Sequence, residues 1–136
     1  MAIMLGLERR RDYRVVRQYI AALNARDIDA IDRLLADDVR FTDSCGDSLE
    51  GHDRVMVATG RFMDLERHFH IHVDALSWRD GEVLVQGQSS ADAPELATDT
   101  LWRASVRGGK LRRWQSYGGP NAPHLARLLS PQRQDA

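Results

Sequence analysis

Apolar residues recur at helical spacing between about Leu7 and Asn24, which predicts an amphipathic helix at the start of the chain. Its apolar side is expected to face the interior, and Tyr19 belongs to that side. A short second helix is predicted after Asp27, because an aspartate there can accept hydrogen bonds from the first free amides of the helix. That helix is expected to end near Asp37. The apolar side of the first helix consists of Val15, Val16, Tyr19, Ile20 and Leu23.

A strand with one apolar face is predicted after the second helix. Alternation places Val39, Phe41 and Asp43 on the same side of this strand, with polar residues between them. The apolar face therefore ends on a carboxylate, and a carboxylate held against an apolar cavity is suited to proton transfer. A third helix is predicted to begin near Gly51, and its apolar side includes Phe62.

The period of the pattern changes to two after the third helix, which predicts β-strands. Asp80-Gly81 and Gly108-Gly109 are typical of two-residue hairpin loops, so the strands are expected to form an antiparallel meander. Because the helices come first and the strands last, the predicted fold class is α+β, with a curved antiparallel sheet wrapped around the N-terminal helices. The strand candidates are Arg67–Arg79, Glu82–Ser90, Leu96–Arg107 and Lys110–Gly118.

The composition predicts one globular domain over residues 1–136, because 43% of the residues are hydrophobic and 29% are charged. A formal net charge of −1 gives no reason to expect nucleic acid or an anionic membrane as a partner. No apolar run approaches the length that crosses a membrane, and the apolar start at Met1–Leu7 is too short for a signal peptide. The single cysteine, Cys45, excludes an internal disulfide, and we therefore expect a cytoplasmic protein.

Six short segments, spread between residues 17 and 117, carry a resemblance to known proteins. They are Arg17–Ile20, Asp27–Ile31, Ala36–Val39, Phe41–Asp43, Glu50–Gly51 and Gly109–Tyr117. These segments resemble ketosteroid isomerases and, more broadly, the nuclear transport factor 2-like superfamily that includes SnoaL-like polyketide cyclases. The resemblance implies a cone of curved sheet, closed by helices over a deep pocket. It specifies chemistry less closely, because the superfamily hosts isomerases, cyclases, dehydratases, hydrolases and non-enzymes.

The resemblance also implies two catalytic residues. Tyr19 falls where the isomerases have a tyrosine that donates a hydrogen bond to the substrate carbonyl, and Asp43 falls on their general base. The spacing between the two residues matches without a gap. An inward phenol can stabilise the charge on an enolate oxygen, while an inward carboxylate removes and returns the neighbouring C–H proton.

Other positions depart from the patterns of these families. The second carboxylic acid of the isomerases falls at or near Trp102, and Asp99 lies three residues earlier on the opposite strand face. Leu35 and Thr59 stand near the places of the tyrosines that support the catalytic phenol in some isomerases. SnoaL-like cyclases and limonene-epoxide-hydrolase-like enzymes have an essential aspartate about where this chain has Ser116.

Three histidines alternate along the first long strand and therefore share a face. A scytalone-dehydratase-like enzyme needs an inward histidine on this strand, and alternate histidines can also chelate a metal. However, the opposite face is apolar and is expected to line the pocket, so the histidines are predicted to face outward, and neither a metal nor a cofactor is expected. The histidines are His68, His70 and His72, and the apolar face consists of Phe69, Ile71 and Val73.

Two functional classes follow from these patterns. The first is an enzyme that acts on a small hydrophobic carbonyl compound, steroid-like or polyketide-like, by isomerisation, cyclisation or dehydration. The second is a non-catalytic module that binds a small ligand or assembles as a dimer; a homodimer through the outer sheet face is expected in either case. Inward Tyr19 and Asp43 favour the enzyme, and the lost second acid favours the module. The predicted substrate-binding residues are Trp102, Trp114, Ser116, Phe62, Phe69 and Ile71.

Overall fold

The computed structural model describes residues 2–119 and 121–131, with side chains from residue 6 onward. Four α-helices are present in this part of the chain: α1 (Ala2–Ala25), α2 (Ile28–Leu34), α3 (His52–Leu65) and α4 (Leu125–Leu129). The six strands are β1 (Leu35–Thr42), β2 (Ser48–Glu50), β3 (His70–Arg79), β4 (Glu82–Ser90), β5 (Asp99–Arg107) and β6 (Lys110–Tyr117). A single turn of 3-10 helix, Pro94–Leu96, lies between β4 and β5.

All six strands form one curved sheet in the order β2-β1-β6-β5-β4-β3. The strands from β3 to β6 form the expected antiparallel meander, and β2 pairs with β1 in antiparallel orientation. The α+β prediction is confirmed, and the sheet is mixed because β1 pairs with β6 in parallel. This pair joins the first strand to the last, and the local alternation of apolar residues carries no signal for such a distant partner.

Both predicted hairpin loops are confirmed. Asp80 and Gly81 have φ angles of 53° and 80°, and Gly108 and Gly109 have φ angles of 61° and 77°. Two successive positive φ angles match the right-handed twist of the flanking strands in a two-residue turn. The meander therefore follows the register that its short connections require.

The apolar side of α1 packs against the concave face of the sheet and contacts β3, β4, β5 and β6. Val16 is fully buried, and Tyr19 is 6% exposed, as the helical spacing predicts. Asp27 caps α2, and its side chain accepts a hydrogen bond of 3.1 Å from the amide of Ala30. The prediction that this helix ends near Asp37 is wrong, because Leu35 already has an extended backbone and begins β1.

Asn24 at the end of α1 is bonded to β3 through both atoms of its amide group. Its Nδ2 donates to the carbonyl of Ile71, and its Oδ1 accepts from the amide of the same residue, both at 2.9 Å. The side chain thus satisfies the backbone groups that an edge strand leaves free. This pair of hydrogen bonds fixes the end of α1 beside the start of β3.

The prediction that Val73 lines the pocket is wrong: Val73 lies beside a β-bulge in β3, and it is absent from the described residues that line the cavity. Val73 pairs with Gly87 and Ala75 pairs with Gln86, so Asp74 is an extra residue on this strand. The bulge reverses the alternation, and Val73 is 43% exposed. Beyond the bulge, the side that packs on the core continues with Leu76 and Trp78.

Two strand boundaries also differ from the prediction. β3 begins at His70, three residues later than predicted, after a turn in which the amide of Phe69 donates to the carbonyl of Glu66. β5 begins at Asp99, because the residues before it form the 3-10 turn. Turn hydrogen bonds therefore replace strand pairing before His70 and at Leu96 and Ala97, whereas Thr98 still exchanges two backbone hydrogen bonds with Ser89 of β4.

The outer face of the sheet carries partly exposed apolar side chains. Leu101 and Tyr117 are 40% and 42% exposed and are paired in register on β5 and β6. This surface is where the homodimer is expected, and the homodimer stays a prediction. No helix in the described part of the chain has the length and apolar character needed to cross a membrane.

Gly87 is required by the close approach of β3 at the bulge. A Cβ atom at this position would lie 1.9 Å from the carbonyl oxygen of His72. We expect Gly87→Ala to lower the free energy of unfolding by roughly 1–3 kcal/mol, because the backbone must shift to make room. Gly60→Ala is the matched control: no atom lies within 4 Å of the added Cβ, and alanine in the middle of α3 should stabilise by about 0.5–1 kcal/mol. Urea unfolding of both variants measures the difference, and equal effects would contradict the assignment of the bulge.

Candidate functional site

A cavity lies between the concave face of the sheet and the helices, with α4 and the 3-10 turn at its rim. Its volume is about 110 Å³, counted over positions that the centre of a water molecule can occupy. This is far more than the roughly 10–15 Å³ that one water requires. The cavity is lined by all three phenylalanines of the chain, by two of its three tryptophans and by one of its three tyrosines. These residues are Tyr19, Phe41, Phe62, Phe69, Trp102 and Trp114.

The aromatic rings form two groups on the cavity wall. Tyr19 contacts Trp114 edge to face at a centroid distance of 4.9 Å, and Trp102 stacks on Trp114 at 6.2 Å. Phe62 and Phe69 contact each other edge to face at 4.9 Å. Because aromatic faces are flat and apolar, these walls favour a flat, apolar ligand.

Tyr19 supplies a hydrogen-bond donor to this apolar space. Its side chain is 6% exposed and lines the cavity, and its hydroxyl forms no hydrogen bond with any described residue. Burial raises the pKa of Tyr19 above its ordinary value, so the phenol stays protonated at neutral pH. The hydroxyl is therefore available to donate to a ligand oxygen.

The carboxylate of Asp43 is buried and engaged by three backbone amides. Its Oδ1 accepts from Cys45 at 2.9 Å and from Asp47 at 3.0 Å. Its Oδ2 accepts from Ala126 at 2.9 Å. Asp43 is 1% exposed and is absent from the described residues that line the cavity. In this arrangement the carboxylate connects the turn after β1 to α4, and its role as a general base stays a prediction.

The helix that Asp43 holds contributes directly to the cavity. Leu125 and Leu129 of α4 line it, one helical turn apart. A second connection comes from α3, where Arg61 donates to the carbonyl oxygens of Leu129 and Ser130 at 3.3 and 3.0 Å. Polar contacts to backbone atoms therefore position this wall of the cavity.

All six residues that the sequence predicts to bind substrate line the cavity: Trp102, Trp114, Ser116, Phe62, Phe69 and Ile71. Their role in binding stays a prediction. Sequence analysis missed Ser44, which also lines the cavity and follows Asp43 directly. Ser44 Oγ lies 3.1 Å from Ser116 Oγ and accepts a hydrogen bond of 2.8 Å from the amide of Gly118. The sequence signal that could have identified Ser44 is its position directly after Asp43, the carboxylate at the end of the predicted strand.

The positions that depart from the isomerases lie as follows. Trp102 is buried in the cavity wall, whereas Asp99 is exposed at the start of β5 and does not line the cavity. Thr59 lines the cavity, and its hydroxyl donates to the carbonyl of Val55 at 2.8 Å. Among the described lining residues, Glu95 has the only carboxylate, and it is exposed on the 3-10 turn. The described cavity wall therefore has no buried acid.

The three histidines are absent from the described lining of the cavity, in agreement with the predicted outward face. His68 is exposed and contacts Asp92 at 2.9 Å. The rings of His70 and His72 lie 4.5 Å apart, and His72 contacts Ser90 Oγ at 3.3 Å. Within residues 2–119 and 121–131, no group of three or more His, Cys, Asp or Glu side chains could hold a metal ion.

A helix-closed, curved mixed sheet with an aromatic cavity defines a protein of the nuclear transport factor 2-like class. The family model of the SnoaL-like domain matches residues 16–114. The chain therefore belongs to the SnoaL-like family. No curated protein matches the chain.

Several solved structures share the fold. An LEH-like epoxide hydrolase of Mycobacterium tuberculosis is 18% identical, with a TM-score of 0.69 over 88% of this chain and 89% of that one. A candidate polyketide cyclase of Sinorhizobium meliloti is 17% identical, with a TM-score of 0.69 over 75% and 92%. A hypothetical protein of Catenulispora acidiphila with a ketosteroid isomerase-like fold, in complex with trimethylamine, is 18% identical, with a TM-score of 0.68 over 79% and 87%. At these identities the likeness shows the fold alone.

The hydrogen bonds of Asp43 lead to a prediction about stability. Asp43→Asn keeps one acceptor oxygen for the turn but places an amide N–H₂ toward the N–H of Ala126. We expect this opposition of two donors to lower the free energy of unfolding by roughly 1–3 kcal/mol. Asp37→Asn is the matched control, because Asp37 is exposed on β1, the strand that precedes Asp43. Urea unfolding measures both variants, and an Asp43→Asn protein as stable as the control would contradict the structural role.

Proposed function

We propose that this protein binds a small, flat and mainly apolar carbonyl compound in the cavity. The observation that carries the proposal is the protonated hydroxyl of Tyr19, which lies in an aromatic cavity without a hydrogen-bond partner among the described residues. The hydroxyl is open to the cavity, so a ligand carbonyl oxygen there replaces water as the acceptor, and the net gain from such a hydrogen bond is about 0.5–1.5 kcal/mol.

The rest of the cavity supports an apolar ligand. Trp102 and Trp114 present stacked rings on one wall, and Phe62 and Phe69 contact each other on another. Membership of the SnoaL-like family agrees with a small-molecule site. Of the proteins that share the fold, one is named as an epoxide hydrolase and another as a candidate polyketide cyclase. These names support enzymatic use of such a cavity.

The finer proposal is proton transfer on the bound carbonyl compound, leading to isomerisation, cyclisation or dehydration. Tyr19 then stabilises the enolate oxygen, and Asp43 moves the proton of the neighbouring carbon. Three amides hold the carboxylate of Asp43, so this role requires α4 to shift and free the Oδ2 atom from Ala126.

The same three hydrogen bonds favour a second candidate, a binding module without catalysis. A carboxylate committed to the turn and to α4 explains the burial of Asp43 without any reaction. Both candidates share the ligand and the Tyr19 contact, and they differ in whether a proton is exchanged. Binding and exchange are therefore tested separately.

Binding is tested with 2-tetralone and tetralin, which have the same ring skeleton with and without a carbonyl oxygen. Tyr19→Phe should weaken the binding of 2-tetralone roughly three- to tenfold, because it removes one buried hydrogen bond and keeps the ring. Tetralin should bind wild type and variant equally. Isothermal titration calorimetry on the full chain measures both ligands.

The pH dependence provides a further check on the same contact. Because the pKa of Tyr19 is raised above its ordinary value of about 10, the affinity for 2-tetralone should stay constant from about pH 7 to about pH 10, where an ordinary tyrosine would already be half ionised. Equal losses for 2-tetralone and tetralin in Tyr19→Phe would show a packing defect and would overturn the carbonyl contact.

Catalysis is tested by hydrogen exchange at C1 of 2-tetralone in heavy water, followed by nuclear magnetic resonance. If Asp43 acts as the base, Asp43→Asn should slow the enzyme-dependent exchange by roughly two to four orders of magnitude. The exchange is measured at saturating 2-tetralone on protein shown to be folded, so that lost stability does not imitate a lost base. Equal exchange in wild type and Asp43→Asn would remove Asp43 from the chemistry and leave the binding module.

A further inference from the structure

Two serines form a hydroxyl pair on the cavity wall, apart from Tyr19. Ser44 Oγ and Ser116 Oγ lie 3.1 Å apart, and both residues line the cavity. We infer that this pair donates a second hydrogen bond to the ligand, so the natural ligand is a flat ring compound with two separated oxygen acceptors. The inference rests on the proposed function, because it adds a contact to the same bound molecule.

The hydrogen count of the pair leaves one donor unused. Two serine hydroxyls have two hydrogens, and one of these lies between the two oxygen atoms. Ser44 Oγ also accepts a hydrogen bond of 2.8 Å from the amide of Gly118. The amide supplies the hydrogen of that bond, so neither serine hydrogen is used in it. Neither hydroxyl donates to any other described residue. Whichever serine donates to the other, one O–H remains for a ligand.

The arrangement of the wall separates this donor from Tyr19. Tyr19 contacts Trp114 at 4.9 Å, and Trp102 stacks on Trp114 at 6.2 Å. Trp102 is paired in register with Ser116, which lies two residues after Trp114 on β6. Two residues along a strand span roughly 6–7 Å, so Ser116 is displaced along β6 from the ring that Tyr19 contacts. A ligand that lies flat on the tryptophans can therefore present one oxygen to Tyr19 and a second oxygen to the serine pair.

Ser44 and Ser116 are far apart in the sequence and are brought together by the pairing of β1 with β6. Ser44 follows β1 and Ser116 belongs to β6, and the parallel pairing of these strands places Phe41 opposite Trp114. The protein contains another hydroxyl pair, Thr42 Oγ1 and Ser48 Oγ at 2.8 Å, whose residues are absent from the described lining of the cavity. This second pair offers a matched control.

The test compares 2,6-dihydroxynaphthalene with 6-methyl-2-naphthol, in which a methyl group replaces one hydroxyl at nearly the same size. Calorimetric titration of the full chain gives the ratio of the two affinities in each variant. In Ser44→Ala/Ser116→Ala, the preference for the dihydroxy compound should fall roughly three- to tenfold relative to wild type. Ser48→Ala should leave the ratio unchanged.

The single variants sharpen the test. Ser44→Ala and Ser116→Ala each leave one serine whose hydrogen is no longer shared, so each should reduce the preference less than the double variant does. The methyl compound also reports general damage to the cavity, such as that from the lost acceptor of the Gly118 amide, because such damage weakens both ligands equally. Tyr19→Phe should weaken both naphthols and keep their ratio within about twofold, since both retain the first hydroxyl.

The outcomes separate this inference from the proposed function. An unchanged ratio in the double variant, with both naphthols still bound, overturns the serine contact and leaves the Tyr19 contact in place. Wild type that binds neither 2-tetralone nor the naphthols overturns both. If the double variant does not fold, the test rests on the affinities of the wild type. The inference is then contradicted if the wild type binds the methyl compound as tightly as the dihydroxy compound.

Discussion

The parallel pairing of β1 with β6 is the constraint on which the candidate site depends. It places Phe41 opposite Trp114 and brings the end of the first strand beside the end of the last. The serine pair and the position of Phe41 beside Trp114 follow from this register, because their members come from segments far apart in the sequence. A shift of one residue would turn Phe41 to the other face of the sheet and separate Ser44 from Ser116.

Asp43 has a structural role at a position where the resemblance to the isomerases implies a general base. Its carboxylate stabilises a tight turn through two amides and holds α4 through a third. Because α4 supplies two leucines to the cavity, the carboxylate shapes the site without lining it. A buried carboxylate with three donors is well satisfied, and its burial alone is therefore no argument for catalysis.

The cavity combines many apolar contacts with few polar ones, which is the usual composition of a small-molecule site. Aromatic walls select for flat shape, and the donors select for the position of oxygen atoms. Tyr19 and the serine pair differ in how they keep a hydrogen available. Burial keeps the phenol protonated, whereas the serines have one more hydrogen than they can use between themselves. Under the proposed function, these donors orient the ligand within a mainly apolar lining.

The sequence by itself determined most of the elements and most of the aromatic residues that line the cavity. The helical spacing placed Tyr19 inward, the glycine-containing loops defined the meander, and alternation placed Phe69 and Ile71 on the apolar face of the first predicted long strand, because these signals act between near neighbours in the chain. Only the tertiary structure decided the parallel β1–β6 pair, the bulge that exposes Val73 and the contact of Ser44 with Ser116. It also directed the carboxylate of Asp43 to the amide of Ala126, 83 positions away in sequence. Each of these depends on backbone groups from distant segments, and a pattern of side-chain types along the chain cannot show which distant amide a carboxylate will meet.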